Sequence, residues 1–198
     1  MTTKKYFFTS DHHFSHHNVI KYAKRPFKDA DEMNETMIRN WNRVVSPHDV
    51  VYHLGDISFE KDHNKLRHML ARLNGSKHIV WGNHDHRMQQ IIIMAGFHNC
   101  GNLHTLNVPP ECNDGKKQKI ILCHYAMRVW EESHYGAWAL YGHSHGTLPD
   151  DKNMLSCDVG VDSWDYTPVS MEQLNRFMSK KTWKPIDHHG SKRDVDAV

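Results

Sequence analysis

The sequence contains no apolar run approaching the roughly 18 to 20 residues a membrane-spanning helix requires. Only three aromatics, Tyr6-Phe7-Phe8, follow the polar opening Met1-Thr2-Thr3-Lys4-Lys5 before Thr9-Ser10-Asp11. That is shorter than the apolar stretch of a secretion signal, so a cytoplasmic protein with no membrane partner is expected. Charge of either sign is scarce in net terms: 25 basic against 23 acidic groups leave +2, which argues against a polyanion-coating surface or an acidic tail. Cysteine is sparse as well. Cys100, Cys112, Cys123 and Cys157 form no Cys-x-x-Cys pair, which excludes a thiolate zinc site of that spacing and argues against a disulfide framework; reduced thiols are expected. No G-x-x-x-x-G-K-[ST], G-x-G-x-x-G or H-E-x-x-H occurs, removing the nucleotide-loop, dinucleotide and zincin classes. There is no internal repeat and no low-complexity block.

What the chain has in abundance is histidine, 19 of 198 residues. Histidine is the commonest metal ligand and the side chain best suited to proton transfer near neutral pH, so composition alone raises metal or acid–base chemistry. The length fits one domain, expected over residues 1–183, with a polar, aperiodic tail over 184–198 in which His188-His189 suit adventitious metal contacts. Short apolar or β-branched runs predict strands at Tyr6-Phe7-Phe8, Val50-Val51-Tyr52, His78-Ile79-Val80-Trp81, Ile120-Ile121-Leu122 and Trp138-Ala139-Leu140-Tyr141, with weaker strand candidates at 103–108 and 154–161. Helical spacing of Met33, Met37, Trp41, Val44 and Val45 predicts a helix capped near Asp29 and Glu32. Leu66, Met69, Leu70 and Leu73 predict a second helix ending at Asn74-Gly75. A third is expected from Gln89 to Ala95, and a last one opens at Ser170 with Gln173 three residues on. The segment 109–115, Pro-Pro-Glu-Cys-Asn-Asp-Gly, reads as a hairpin loop. The fold class is therefore mixed α/β in layers.

Position matters more than number. Each of the five best strand candidates is followed within a few residues by potential metal ligands: Asp11-His12-His13, Gly55-Asp56, Gly82-Asn83-His84-Asp85, His124 and Gly142-His143-Ser144-His145. In α/β sheets, ligand sites form beyond the carboxyl ends of strands. This ordered set, D-x-H, G-D, G-N-H-[DE], H and G-H-x-H, resembles the calcineurin-like metallophosphoesterases. The segments 156–169 and 16–27, with His16, Asn18 and Arg25-Pro26-Phe27, are similar to small bacterial and phage members.

The resemblance implies an α-β-β-α sandwich of two mixed β-sheets flanked by helices, and a centre of two divalent metal ions, among Mn, Fe, Ni or Zn with Mn favoured. It assigns Asp11, His13 and His145 to one ion, Asn83, His124 and His143 to the other, and Asp56 to both. It implies hydrolysis of a phosphoester by in-line attack of a metal-bridging hydroxide, with His84 as general acid and Asp85 orienting its ring, and with Arg25, His16 and Asn18 binding substrate. The second block continues Gly55-Asp56-Ile57-Ser58-Phe59 and the third ends in Asp85, which departs from the protein Ser/Thr phosphatases. A small phosphodiester or nucleotide is the expected substrate. A single-strand nuclease, its six tryptophans available for stacking, and a non-catalytic metal-binding scaffold stay open as alternatives, although the near-neutral charge does not favour nucleic acid.

Overall fold

The computed structural model describes residues 4–184 and 186; the expected tail, with His188 and His189, otherwise lies outside the described residues. Nine strands form two sheets. The first has the order β4-β3-β2-β1-β9, and the second β5-β6-β7-β8. In the first, β1 (Tyr6–Thr9), β2 (Val50–His53), β3 (Ser76–Ile79) and β4 (Phe97–Asn99) run parallel, and β9 (Val169–Ser170) is antiparallel to β1. In the second, β5 (Leu103–Val108) and β6 (Gln118–Cys123) form an antiparallel pair across the expected hairpin loop. There, β7 (Trp138–Tyr141) and β8 (Ser156–Asp158) continue parallel to β6. The two mixed sheets, flanked by helices, make the α/β sandwich expected.

Two apolar cores follow from the alternation of side chains along the strands. Phe7, Val51 and Ile79 face outward from the first sheet. They bury Met33, Met37 and Trp41 of α2 (Ala30–Val44), Leu66 and Leu70 of α3 (His63–Ala71) and Ile92 of α4 (Gln89–Met94). Their neighbours Phe8, Val50 and Tyr52 face the second sheet and meet Leu106, Ile120, Leu122 and Leu140. Met171, Leu174 and Met178 of α5 (Met171–Met178) complete this inner core. On the other face of the second sheet, Thr105 and Lys119 hold the irregular segment after β6 through Glu131 and Glu132.

Local chemistry starts the helices. The Asp29 carboxylate accepts from the Glu32 backbone N–H, while Glu32 reaches back one residue further than a capping box requires, to the Lys28 N–H. Ser170 and Gln173 satisfy each other reciprocally at the start of α5. Two short strands, β4 and β9, and the short helix α1 (His17–Tyr22) go beyond the elements expected from sequence. β3 starts two residues earlier than expected and ends at Ile79 rather than Trp81. All four cysteines are free thiols. Among the described residues no helix is long and apolar enough to cross a membrane.

Candidate metal centre

Six parallel-strand ends open onto one crevice: β1 into Asp11 to His13, β2 into Asp56, β3 into Asn83 to Asp85, β6 into His124, β7 into His143 to His145, and β8 toward Asp162. Backbone hydrogen bonds stitch the first two of these loops together, from Asp11 to Gly55, His13 to Asp56 and Phe14 to Ile57 at 3.0–3.1 Å. The turns are sharp. Asp11, His13, Asp56, His143 and His145 all adopt positive φ, between 48° and 67°, a conformation that costs a non-glycine residue free energy and collects at functional sites.

The side chains form two clusters. Asp11, His13 and His145 bring ligand-type atoms within 4.8 Å of one another, and so do Asp56, His124 and His143. Each aspartate commits one oxygen to the backbone of another loop and presents the other. Asp11 Oδ2 accepts from the His143 N–H at 2.8 Å, and Asp56 Oδ1 accepts from the His84 N–H at 2.8 Å. The remaining Oδ2 of Asp56 lies 3.7 Å from His13 Nε2 and 3.5 Å from His124 Nε2, so it touches both clusters. Asn83 joins the second cluster, its Oδ1 3.0 Å from His124 Nε2 and 3.3 Å from the Tyr125 hydroxyl.

Whether cations fit here can be judged from the polar atoms. Asp11 Oδ1 and both ring nitrogens of His13 are buried with no hydrogen-bond partner, an arrangement that ordinarily costs stability. Asp11 Oδ1 and His13 Nε2 stand 3.8 Å apart, and a cation between them satisfies both. The imidazoles are set as ligands require. His124 Nδ1 donates to the Leu54 carbonyl at 2.7 Å, and His145 Nδ1 donates to Asp162 Oδ2 at 2.7 Å; each bond fixes the tautomer and turns Nε2 toward its cluster. With oxygen and imidazole donors and no thiolate, the set suits first-row divalent ions.

The charges reflect the same geometry. Burial raises the Asp11 carboxyl to about 7, against the pull of His124 and His145. Burial also drives His13 well below the usual imidazole range. Burial would raise Asp56 too, but the His124 ring and the His84 N–H outweigh it and hold the carboxyl at about 2. For His145, the Asp162 and Asp11 carboxylates overcome burial and raise the ring. Gly82 and Gly142 leave no room for a side chain. A Cβ on Gly82 would sit 2.2 Å from Asp56 Oδ1, and one on Gly142 would sit 2.1 Å from Ser10 Oγ and 2.4 Å from Asp11 Oδ2.

Two expected roles need correction. Asp85 does not orient the His84 ring: its buried carboxylate accepts from the backbone N–H groups of Gly82, Asp56 and Ile57 at 2.8–3.0 Å, clamping the β2 and β3 loops together. Arg25 is not available to substrate. All five of its N–H donors are used inside the protein, on both Asp162 oxygens, the carbonyls of Asp11 and His12, and the Met33 sulfur. Asn18 is exposed on α1, and no contact among the described residues ties it to either cluster. His16 does lie at the site, stacked on Phe59 at 3.9 Å and 5.5 Å from the His13 ring. His84 is exposed, with Nε2 4.0 Å from Asp56 Oδ2.

Sequence reasoning missed Asp162, which joins His145 to Arg25. It also missed the buried pair in which His12 Nδ1 meets His53 Nε2 at 2.9 Å while His53 Nδ1 accepts from the Gly55 N–H. Asp162 follows β8 as the other residues follow their strands, so the strand-end rule applied to the weak 154–161 candidate would have found it.

Fold and site together define an α/β two-sheet sandwich with a pair of potential metal-binding clusters at its strand ends. The chain belongs to the family of the uncharacterized protein MJ1445 of Methanocaldococcus jannaschii, to which it is 32% identical over 193 aligned positions, covering 91% of this chain and 94% of that protein. It is also similar to the gene 66 protein of Mycobacterium phage L5, at 25% identity over 79% of this chain and 86% of that one. Among solved structures, the protein of unknown function AQ665 from Aquifex aeolicus shares the fold, with a TM-score of 0.64 and 22% identity over 88% of this chain and 99% of that one. A Streptococcus pneumoniae protein described as a predicted phosphoesterase overlaps more loosely, with a TM-score of 0.34 and 19% identity over 73% of this chain and 64% of that one. No family model matches the sequence.

Proposed function

We propose that the chain is a metal-dependent phosphoesterase of the calcineurin-like type, acting on a phosphodiester such as a small nucleotide in preference to a monoester. The observation that supports this most directly is the free Asp56 oxygen set between two ligand clusters with the His84 ring beside it. Two divalent cations, one held by Asp11, His13, His145 and Asp56 and the other by Asp56, Asn83, His124 and His143, would supply Lewis-acid polarisation of the phosphoryl group and water activated to hydroxide near neutral pH. Mn²⁺ is the favoured ion for mixed carboxylate, amide and imidazole donors.

The chain's own groups perform the rest. His84 is anchored by its backbone N–H to Asp56 while its ring stays in solvent, where it protonates the departing oxygen in general-acid fashion. Asp162 holds the His145 ring, and Asp85 holds the loops that carry Asp56 and Asn83, so little reorganisation is needed as charge develops. His16 borders the phosphate position. His84 and His143 are both exposed, leaving the crevice open enough for a phosphorus bearing two organic groups. The free thiols suit a reducing compartment, and the cytoplasm is the proposed location.

The test is hydrolysis of bis-p-nitrophenyl phosphate and p-nitrophenyl phosphate by metal-stripped protein, with and without added Mn²⁺. Mn²⁺-dependent turnover favouring the diester, lowered by about two to four orders of magnitude in His84→Ala, is expected. Failure to hydrolyse either ester with Mn²⁺, Ni²⁺ or Zn²⁺ overturns the proposal.

A further inference from the structure

One aromatic ring stands beside each cluster, and neither belongs to an apolar core. Next to the first cluster, Phe59 is half-buried on the loop after β2. It stacks on His16 with the planes 12° apart and lies 5.3 Å from the His13 ring and 4.8 Å from the His84 ring. Next to the second cluster, Tyr125 directly follows the candidate ligand His124 and is 48% exposed. Its ring is 4.8 Å from His143 and 5.0 Å from His124, and its hydroxyl bonds Asn83 Oδ1. The shared Asp56 oxygen lies between these two ends, since it touches His13 and His84 on one side and His124 on the other.

We infer that Phe59, with His16 behind it, and Tyr125 form two ring-binding subsites, one for each substituent of a phosphodiester whose organic groups carry planar rings, whether aryl groups or nucleobases. The inference rests on the phosphoesterase reading and sharpens it. A monoester has one organic substituent and engages a single side of such a site. A dialkyl phosphate has two but offers no π-face to either ring. Tyr125 is well placed for this role because its backbone is fixed by the strand end that carries His124, and the bond to Asn83 holds its ring upright beside the crevice. An exposed ring held as Tyr125 is stacks on planar ligands with little loss of side-chain entropy, and the half-buried Phe59 offers the side that His16 does not cover.

Calorimetric titration of the Mn²⁺-loaded protein with diphenylphosphinate and dimethylphosphinate separates the outcomes. These anions carry the same charge, and their P–C bonds are not hydrolysed. The wild-type protein is expected to bind the diphenyl anion at least about tenfold more tightly. Tyr125→Leu and Phe59→Leu each reduce that preference severalfold while Mn²⁺ stoichiometry is retained, and Tyr125→Phe, which keeps the ring but loses its bond to Asn83, retains more of it than Tyr125→Leu. In Tyr125→Leu the loss on bis-p-nitrophenyl phosphate falls mainly on KM. Equal binding of the two phosphinates, or an undiminished preference in both leucine variants, overturns the subsites while diester hydrolysis leaves the phosphoesterase reading intact. If neither phosphinate binds and no ester is hydrolysed, both fail together.

Discussion

The two clusters at the strand ends are built from similar residues but live in different surroundings. In the first, Asp11 and His13 are almost fully buried, and His145 is gripped by Asp162, itself gripped by Arg25. In the second, His124 is buried and tied to the Leu54 carbonyl, but His143 is exposed and Asn83 has a half-exposed Tyr125 for a neighbour. The first cluster is the more buried of the two and is braced, and its unpartnered polar atoms leave a cation as the natural counterpart. The second reaches solvent through His143. A buried centre fixes geometry and an open one permits exchange, and a hydrolytic site of the kind proposed needs both.

The comparison can be broken most severely at the residue both clusters share. Asp56→Asn is expected to lower Mn²⁺ occupancy at both and to reduce diester turnover on the order of a thousandfold or more; elemental analysis and steady-state rates would show whether the two halves fail together. Arg25→Met comes next, because it strands the buried Asp162 carboxylate: a loss of about 3–5 kcal/mol in urea unfolding is expected, and a loss below about 1 kcal/mol would contradict the brace. Asp162→Asn is milder and more selective, weakening cation binding about 10–100-fold at the first cluster alone; a titration followed by Mn²⁺ spectroscopy that showed equal weakening at both would erase the distinction. The last and most gradual effect concerns His53, hydrogen-bonded to the loops that carry both Asp11 and Asp56. Burial, followed by the opposing pull of Asp56, leaves the His53 ring at about 3. Because this pKa is lowered on folding, the stability that neutral His53 contributes is complete above about pH 6.5 and is lost as pH falls toward 3. Relative to His53→Gln, the wild-type protein should therefore lose about 1 kcal/mol per pH unit across that window, measured by urea midpoints at pH 7 and pH 5.

Much of this architecture is legible in the residues. β2 and β7 are buried along their length, β1 and β6 are buried over Phe7 to Thr9 and Ile120 to Leu122, and the periodicity of Met33, Met37 and Trp41 marks the face that α2 buries. β3 is displaced because Ser76 and Lys77 look like loop residues. Lys77 is held in its buried place by donating its ammonium group to the Leu73 carbonyl and lying over the Phe97 ring. β4 and β9, of three and two residues, are too short to carry a period and exist because a neighbouring strand offers pairing. The candidate ligands stand out because several chemistry-bearing types gather at strand ends. Arg25, Asp85 and Asp162 are harder to read for a shared reason: what each does depends on partners brought close by the fold. An arginine with Pro and Phe beside it looks like a surface anion binder until Asp162, 137 positions away, takes its guanidinium. Asp85 binds backbone N–H groups, which every residue but proline possesses and no pattern advertises.

That long reach between Arg25 and Asp162 also makes the centre a product of long-range chain closure. The second cluster has all its members once His143 has been made, whereas the first needs His145 and then the carboxylate that steadies it. The brace closes only when residue 162 meets a loop placed near the start of the chain, so it depends on closing a long loop. Until that contact forms, His145 has no carboxylate to fix its tautomer, and a cation arriving early meets an unsteadied first cluster. The centre is therefore complete only once contacts far apart in sequence have formed.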